Sequence, residues 1–156
     1  MSKSLKRVRA ALENHSIPTD ILEMPGETRT AADAAREANC EVDQIAKSII
    51  FRGAKSAQAI LFITAGGRQV SPVTATELAE EPLERADANF VRSQTGFAIG
   101  GVAPIGHLNE PVVFLDETLM KFELVYAAAG TPKHIFAINP QTLAQISNAQ
   151  VSVFSS

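Results

Sequence analysis

Two apolar runs, Ser48-Ile-Ile-Phe-Arg52 and Ala59-Ile-Leu-Phe-Ile-Thr64, decide the fold of this 156-residue chain. Both runs are rich in the β-branched and aromatic residues that favour strands, and a glycine-containing loop separates them. We therefore predict two neighbouring antiparallel strands. Because further strands recur between well-separated helical segments, the pattern favours an α+β or mixed α/β domain over a regular βαβ array.

The other elements follow from helix caps, turn residues and the spacing of apolar residues. Helices are expected from a Ser4 cap to about His15, from the Thr30 capping box to about Ala38, over Thr74–Ala79, over Ala86–Ser93 and from Asn139-Pro140 to Ile146, with single turns over Val42–Ala46 and after Asp116. Strands are expected over Asp20–Met24, Arg68–Ser71, Pro111–Leu115, Glu123–Ala128, His134–Ile138 and Val151–Phe154.

Composition limits the class of protein. A hydrophobic fraction of 46% and a charged fraction of 20% are typical of a soluble globular domain of this length. No apolar run reaches the ~18 residues of a membrane span, and the first residues lack the apolar core of a signal peptide. We expect a cytoplasmic protein without a membrane partner. The net charge of −3 argues against a protein that coats nucleic acid, and DNA is not an expected partner.

Four basic residues, Lys3, Lys6, Arg7 and Arg9, form a cluster at the start of the first predicted helix. The cluster could contact a few phosphates, or it could be a solvated helix face. The three histidines lie far apart in the sequence and have no Cys or His neighbour at metal-ligand spacing, so no metal site is expected.

The segment Gly96–His107 contains four glycines and one proline but no carboxylate, lysine or arginine. Such a segment works through its backbone, because glycine allows positive φ and close approach of a ligand to N–H groups, while Pro104 fixes φ. It is either a plain connecting turn or a wall that holds a carbonyl, carboxylate or phosphate. The glycine spacing and the following Lys-Ser/Thr of a P-loop are absent, which argues against a nucleotide site of that kind.

Lys47 lies in the apolar run Ile45–Phe51, where a helical turn becomes a strand. At the mouth of an apolar pocket it would be a desolvated donor able to anchor a phosphate, a carboxylate or a carbonyl oxygen, and burial would lower its pKa. The alternative is an edge-strand lysine whose aliphatic stem reaches out to water.

Four segments, taken together and in this order, resemble the YbaK family, which is related to the editing insertion domain of bacterial prolyl-tRNA synthetase. They are Thr30-Ala-Ala-Asp-Ala-Ala35, Gln44-Ile-Ala-Lys-Ser-Ile-Ile-Phe51, Thr95-Gly-Phe97 with Gly100-Gly-Val-Ala-Pro-Ile-Gly-His107, and Ala128-Ala-Gly-Thr-Pro132. The resemblance spans most of the chain. It implies one editing domain over residues 1–156, with helices around a central, mostly antiparallel sheet.

The resemblance also implies a trans-editing aminoacyl-tRNA deacylase. Such an enzyme hydrolyses the ester that joins a small non-cognate amino acid to the terminal adenosine of a tRNA, usually the tRNA for proline. The expected partner is the acceptor end of a mischarged aminoacyl-tRNA, and an aminoacyl-tRNA synthetase that delivers it would be a second partner. No metal or organic cofactor is expected.

The family pattern assigns roles to individual residues. Its functional lysine matches Lys47, and its Gly-x-x-x-Pro loop matches Gly100–Pro104. N–H groups of Gly101, Val102 and Ala103 would stabilise negative charge on the ester carbonyl oxygen, while Lys47 would hold the terminal phosphate or a neighbouring oxygen. The candidate substrate-binding residues are Thr30, Ala34, Ser48, Gly100, Pro104, Gly130 and His134, of which His134 could equally be structural.

The sequence contains no convincing Ser-His-Asp or Cys-His set, so water or the ribose hydroxyl of the substrate is the expected nucleophilic participant. Two other hypotheses stay open. One is a non-catalytic module that holds a nucleotide end or a protein partner, which the acidic balance and the lack of a side-chain base favour. The other is a hydrolase for small aminoacyl or phosphoryl esters that needs no tRNA.

Overall fold

A computed structural model describes residues 2–26 and 30–156 of the chain. The α-helices are α1 (Lys3–Asn14), α2 (Ala31–Ala38), α3 (Pro72–Ala79), α4 (Ala88–Thr95) and α5 (Pro140–Ile146), and 3-10 turns cover Val42–Gln44 and Glu117–Lys121. The strands are β1 (Ile21–Glu23), β2 (Ile45–Gly53), β3 (Ala59–Ala65), β4 (Leu83–Arg85), β5 (Val112–Asp116), β6 (Val125–Ala128), β7 (His134–Ile138) and β8 (Gln150–Ser152). None of the described helices is both long and apolar enough to cross a bilayer.

All eight strands form one sheet in the order β1-β7-β6-β2-β3-β5-β8, and β4 also pairs with β2. The predicted hairpin of β2 and β3 is confirmed, with Ala46 opposite Ala65 and Arg52 opposite Ala59. Among the described residues, four strand pairings are antiparallel and three are parallel. The predicted mixed α/β fold, with helices around a central sheet, is therefore confirmed.

The two faces of the sheet carry different helices. On β3, Leu61 and Ile63 point into the main core, which receives residues of α1, α4 and α5. Alternate residues of the same strand, Ile60 and Phe62, point to the opposite face and pack with α3 and Phe154. This alternation is the period of two that a strand imposes, and it buries β3 on both faces.

The same alternation fixes the position of Lys47 on β2. Ile50 packs into the main core, whereas Ile49 joins the α3 cluster on the second face. Ile45 packs under α2 through Ala34. Because Lys47 shares the parity of Ile45 and Ile49, it lies on the second face between the α2 and α3 clusters.

Helix α1 begins earlier than predicted. The Ser2 hydroxyl accepts the N–H of Leu5, so Ser2 is the cap, and Ser4 lies inside the helix. The Thr30 cap of α2 is confirmed, since its hydroxyl accepts the N–H of Asp33.

Two strand assignments differ from the sequence prediction. Arg68–Ser71 forms only an isolated bridge between Val70 and Ser155, because helix α3 starts at Pro72 and leaves no room for a ladder. The short strand β4 was not predicted. It covers residues 83–85, which lie between the two predicted helices, and the carboxylate of Asp87 then caps α4 by accepting the N–H of Phe90.

Candidate functional site

Strand β2 has a stretch of unpaired edge at residues 47–50. Strand β3 occupies one edge of β2, and β6 and β4 share the other. On that second edge β6 pairs only with Ile45 and Ala46, and the pairing with β4 starts at Phe51. Within the described part of the chain, no strand therefore pairs with residues 47–50 on this edge. Because alternate residues of an antiparallel pair face away from the partner, two of these four residues direct N–H and C=O groups into the gap.

A cavity of about 320 Å³ lies beside this unpaired edge. Its lining comes from β2, the start of α2, β6 and the glycine-rich loop: Thr30, Ala31, Ala34, Ile45, Ala46, Lys47, Ser48, Ile49, Ile99, Gly100, Val102, Tyr126, Ala127, Ala128 and Ile135. A larger groove of about 500 Å³, which runs along Ile17–Asp20, has no cationic side chain among its described lining residues. In two other larger depressions, of about 510 and 430 Å³, the arginine or lysine of the lining is accompanied by a carboxylate. Chemistry rather than size therefore selects the smaller cavity as the candidate site.

Lys47 supplies the positive charge of the cavity. Its ammonium donates to the carbonyl oxygen of Gly66 at 3.3 Å, which within the described residues is its one hydrogen-bond acceptor. An ammonium has three N–H donors, so two remain for a ligand. Burial lowers the pKa of Lys47, and the carboxylates of Asp43 and Asp116 partly oppose that effect.

Ser48 brings a second polar group into the cavity. Its hydroxyl oxygen is buried and has no hydrogen-bond partner among the described residues. Leaving a buried hydroxyl unpaired costs about 1–3 kcal/mol. A polar group of a ligand in this cavity would recover that cost.

The glycine-rich loop provides backbone donors of unequal availability. Gly101 donates its N–H to the carbonyl oxygen of Ala98 at 3.0 Å, so this donor is used inside a turn. The N–H groups of Val102 and Ala103 donate to none of the described residues. Val102 lines the cavity, whereas Ala103 is fully buried behind it. Val102 is therefore the best placed of the three predicted donors.

The structure brings together six of the predicted site residues. Thr30, Ala34, Lys47, Ser48, Gly100 and Val102 all line the cavity. The remaining five, Gly101, Ala103, Pro104, Gly130 and His134, do not line it.

Three of those five residues make their contacts outside the cavity. Pro104 lines a separate depression beside His107. Gly130 has φ 96°, and an added Cβ would lie 2.8 Å from the carbonyl oxygen of Ser4 in α1. His134 forms a hydrogen bond of 2.6 Å between Nδ1 and the Thr131 hydroxyl, and it faces a surface depression beside α1. These contacts favour a structural role for the three residues, in which they shape the backbone around the site.

Sequence reasoning missed nine of the fifteen described lining residues, and two of them add a new kind of group to the cavity. Tyr126, the only tyrosine of the chain, lies in β6 opposite Ile45 and puts a half-buried phenol against the cavity. Ile99 stands 59% exposed at the rim. A lone tyrosine in a strand and a lone isoleucine in a loop carry no periodic or motif signal, so only the three-dimensional pairing reveals them.

His107 supports the loop from within. Its Nε2 lies 2.6 Å from the carbonyl oxygen of Ala103, and its ring packs edge-on against Phe97. Because a carbonyl oxygen only accepts, Nε2 carries the proton, and in the neutral ring Nδ1 is unprotonated. Nδ1 is buried and has no partner among the described residues. Burial lowers the pKa of His107, and the nearby Arg7 charge adds to the effect.

This environment makes stability depend on pH. A histidine in the unfolded chain gains its proton below a pKa of about 6.5, whereas the folded state resists that proton. Its stabilising contribution is complete above about pH 6.5 and is lost as pH falls through the lower folded pKa. We expect the wild-type Tm to fall as the pH drops below about 6.5, and His107→Gln, which keeps a donor but cannot titrate, to show a shallower fall. Equal slopes in thermal melts of the two proteins would contradict this.

No group of three or more His, Cys, Asp or Glu side chains that could hold a metal ion occurs in residues 2–26 and 30–156. Among the described residues that line the cavity, Lys47 is the one charged residue, and none carries a carboxylate or an imidazole. The cavity can therefore bind an anion or polarise a carbonyl oxygen, but these residues include no carboxylate or imidazole to act as a general base.

One family model matches most of this chain, and similar proteins and solved structures extend over nearly all of it. The family model described as the aminoacyl-tRNA editing domain matches residues 25–146. A Bacillus subtilis protein, YwhH, described as uncharacterized, is 31% identical over 148 residues, covering 95% of this chain and 94% of its own. A crystal structure of a candidate trans-editing enzyme for prolyl tRNA synthetase is 40% identical, with a TM-score of 0.93 over 100% of this chain and 99% of that one. The hypothetical protein APE2540 is 25% identical, with a TM-score of 0.88 over 96% and 99%.

Proposed function

Because this chain belongs to the family of aminoacyl-tRNA editing domains, we propose that it is a trans-editing deacylase. It hydrolyses the ester between a small non-cognate amino acid and the terminal adenosine of a tRNA, and the tRNA for proline is the first candidate. The observation that carries the proposal is the meeting of Lys47 and the Val102 backbone on one cavity that has an unpaired strand edge. The acceptor end of the mischarged tRNA is the partner.

The chemistry is an addition followed by elimination. A water molecule forms a bond to the ester carbon, and the carbonyl oxygen takes the negative charge of the tetrahedral intermediate. The intermediate then expels the ribose oxygen, which takes up a proton, leaving a free amino acid and an uncharged tRNA end. Backbone N–H groups aimed at the developing oxyanion lower this barrier, and the undonated N–H of Val102 is suited to that task.

Lys47 acts by position and charge. Its two free N–H donors would hold a phosphate or a ribose oxygen of the terminal nucleotide and so fix the ester against the loop. Because the described lining residues include no carboxylate or imidazole, the proton of the attacking water passes through the ribose hydroxyl of the substrate or through solvent to the expelled ribose oxygen.

The amino-acid end would occupy the apolar part of the cavity near α2. Ala34 and Ile45 form its floor, and Thr30 and Ser48 supply polar groups. A missing methylene in such a pocket changes discrimination by only ~1–3 kcal/mol, so small substrates compete closely. The unpaired Ser48 hydroxyl favours substrates that bring a hydrogen-bonding atom to it.

The deciding experiment is a panel of tRNAs for proline mischarged with small amino acids, with release of the labelled amino acid followed against time. We expect at least one ester to be cleaved well above its spontaneous rate. Free aminoacyl adenosine esters form the second arm, and equal turnover of these would favour a small-ester hydrolase. Binding without turnover across the panel would reject the deacylase and favour the non-catalytic module, for which the lack of a carboxylate or imidazole among the described lining residues is the supporting observation.

A further inference from the structure

The basic cluster of the first helix divides into two kinds of residue. Lys3, Lys6 and Arg9 are exposed, whereas Arg7 is half-buried and turned under the glycine-rich loop. The solvated-face interpretation therefore does not describe Arg7.

Arg7 holds both ends of that loop. Its Nη2 donates to the carbonyl oxygen of Gly96 at 2.6 Å, and its Nε donates to the carbonyl oxygen of Gly106 at 3.3 Å. The guanidinium carbon also lies 5.0 Å from the centre of the Phe97 ring. A planar guanidinium with donors in a fixed fork can make these contacts at once, which a lysine ammonium cannot do with the same geometry.

The glycines at the two ends fit this contact. Gly96 has φ 83° and Gly106 has φ 78°, a region that other residues enter only at a cost. A Cβ added at Gly96 would overlap Nη2 of Arg7, and one at Gly106 would lie 3.2 Å from the carbonyl oxygen of Arg7. Both bends are thus shaped for close approach to this one residue of α1.

Arg7 does not line the cavity, but Val102 does. In the sequence Val102 lies between Gly96 and Gly106, whose carbonyl oxygens both accept hydrogen bonds from Arg7. His107 adds a bond to Ala103 inside the same loop. We propose that Arg7 is a positioning residue, which fixes the loop so that the N–H group of Val102 is held at the site. This inference rests on the proposed function for its kinetic consequence but not for its structural one.

The first test needs no activity. Hydrogen exchange is measured for peptides within residues 97–106 in the wild type, in Arg7→Met and in Arg7→Lys, with the exposed Arg9→Met on the same helix as the matched control. We expect exchange in the loop to rise at least tenfold in Arg7→Met, less in Arg7→Lys and not in Arg9→Met, while β3 peptides stay protected. Unchanged loop exchange, or a rise of equal size in β3, would overturn the positioning role. If Arg7→Met does not fold, the comparison of Arg7→Lys with Arg9→Met decides.

The second test uses the best ester of the tRNA panel. A misplacement of about 1 Å can cost about 100-fold in rate, so we expect Arg7→Met to lower kcat by about 10-fold to 100-fold with KM changed less than threefold. Loss confined to KM would overturn the positioning role, since it would indicate a phosphate contact instead. A wild type that cleaves no ester would reject the deacylase and leave the exchange result to decide on Arg7.

Discussion

Replacing Lys47 with methionine is expected to lower the single-turnover rate of ester hydrolysis by about 100-fold to 1,000-fold, the range for losing one preorganised stabilising group. Methionine keeps the unbranched apolar stem that crosses the second face of the sheet and removes the ammonium with its two free donors. The ester would then bind without a fixed orientation, and the loop N–H groups would act on a misplaced carbonyl.

The matched control is Lys55→Met, which removes an exposed lysine from the loop between β2 and β3. We expect wild-type rates from it. A Lys47→Met protein that folds and hydrolyses the same ester at the wild-type rate would remove Lys47 from the mechanism. Lys47→Arg separates charge from shape, because it keeps the cation on a longer and more rigid head group.

Replacing Gly101 with alanine is expected to produce the second largest loss, about 100-fold in rate, through displacement of the loop. The added Cβ would lie 2.9 Å from the Cα and 3.0 Å from the carbonyl carbon of Thr131. Both partners are backbone, so neither can rotate away. Overpacking of this kind typically costs about 1–3 kcal/mol of stability, which urea unfolding would measure beside the kinetic assay.

Gly26→Ala is the control for the general effect of removing a glycine, because an added Cβ there meets no atom of the described residues within 4 Å. It should leave both rate and stability near those of the wild type. If Gly101→Ala also retained the wild-type rate and stability, the close packing of the loop against Thr131 would have no role in the site.

Local signals accounted for much of the fold. The paired apolar runs placed β2 and β3, the Thr30 and Asn139 caps placed α2 and α5, and the motif segments identified the family that the comparisons confirm. These features depend on neighbours within a few residues along the chain. The strand predicted at Arg68–Ser71 was wrong because the segment around Ser155, with which it pairs, lies far away along the chain and forms only an isolated bridge with it, at Val70.

Other features depend on contacts between distant segments. The unpaired edge of β2 exists because β6, which joins β2 in parallel, leaves it after Ala46. The contact between Arg7 and the loop joins residues 89 and 99 positions apart. In the sequence Arg7 is one of four similar basic residues, and nothing local marks it as the one that turns inward. The roles proposed for the individual site residues remain predictions.

A strand edge left without a partner normally invites another strand, and exposed edges are a common route to aggregation. In this protein the open stretch is bounded at both ends, by β6 and by β4, and its four residues extend over only about 13 Å. A strand from another molecule would have to displace one of these neighbours before it could form a ladder. Under the proposed function, the gap leaves backbone donors and acceptors available to a small ligand, and its short length hinders pairing with a second molecule.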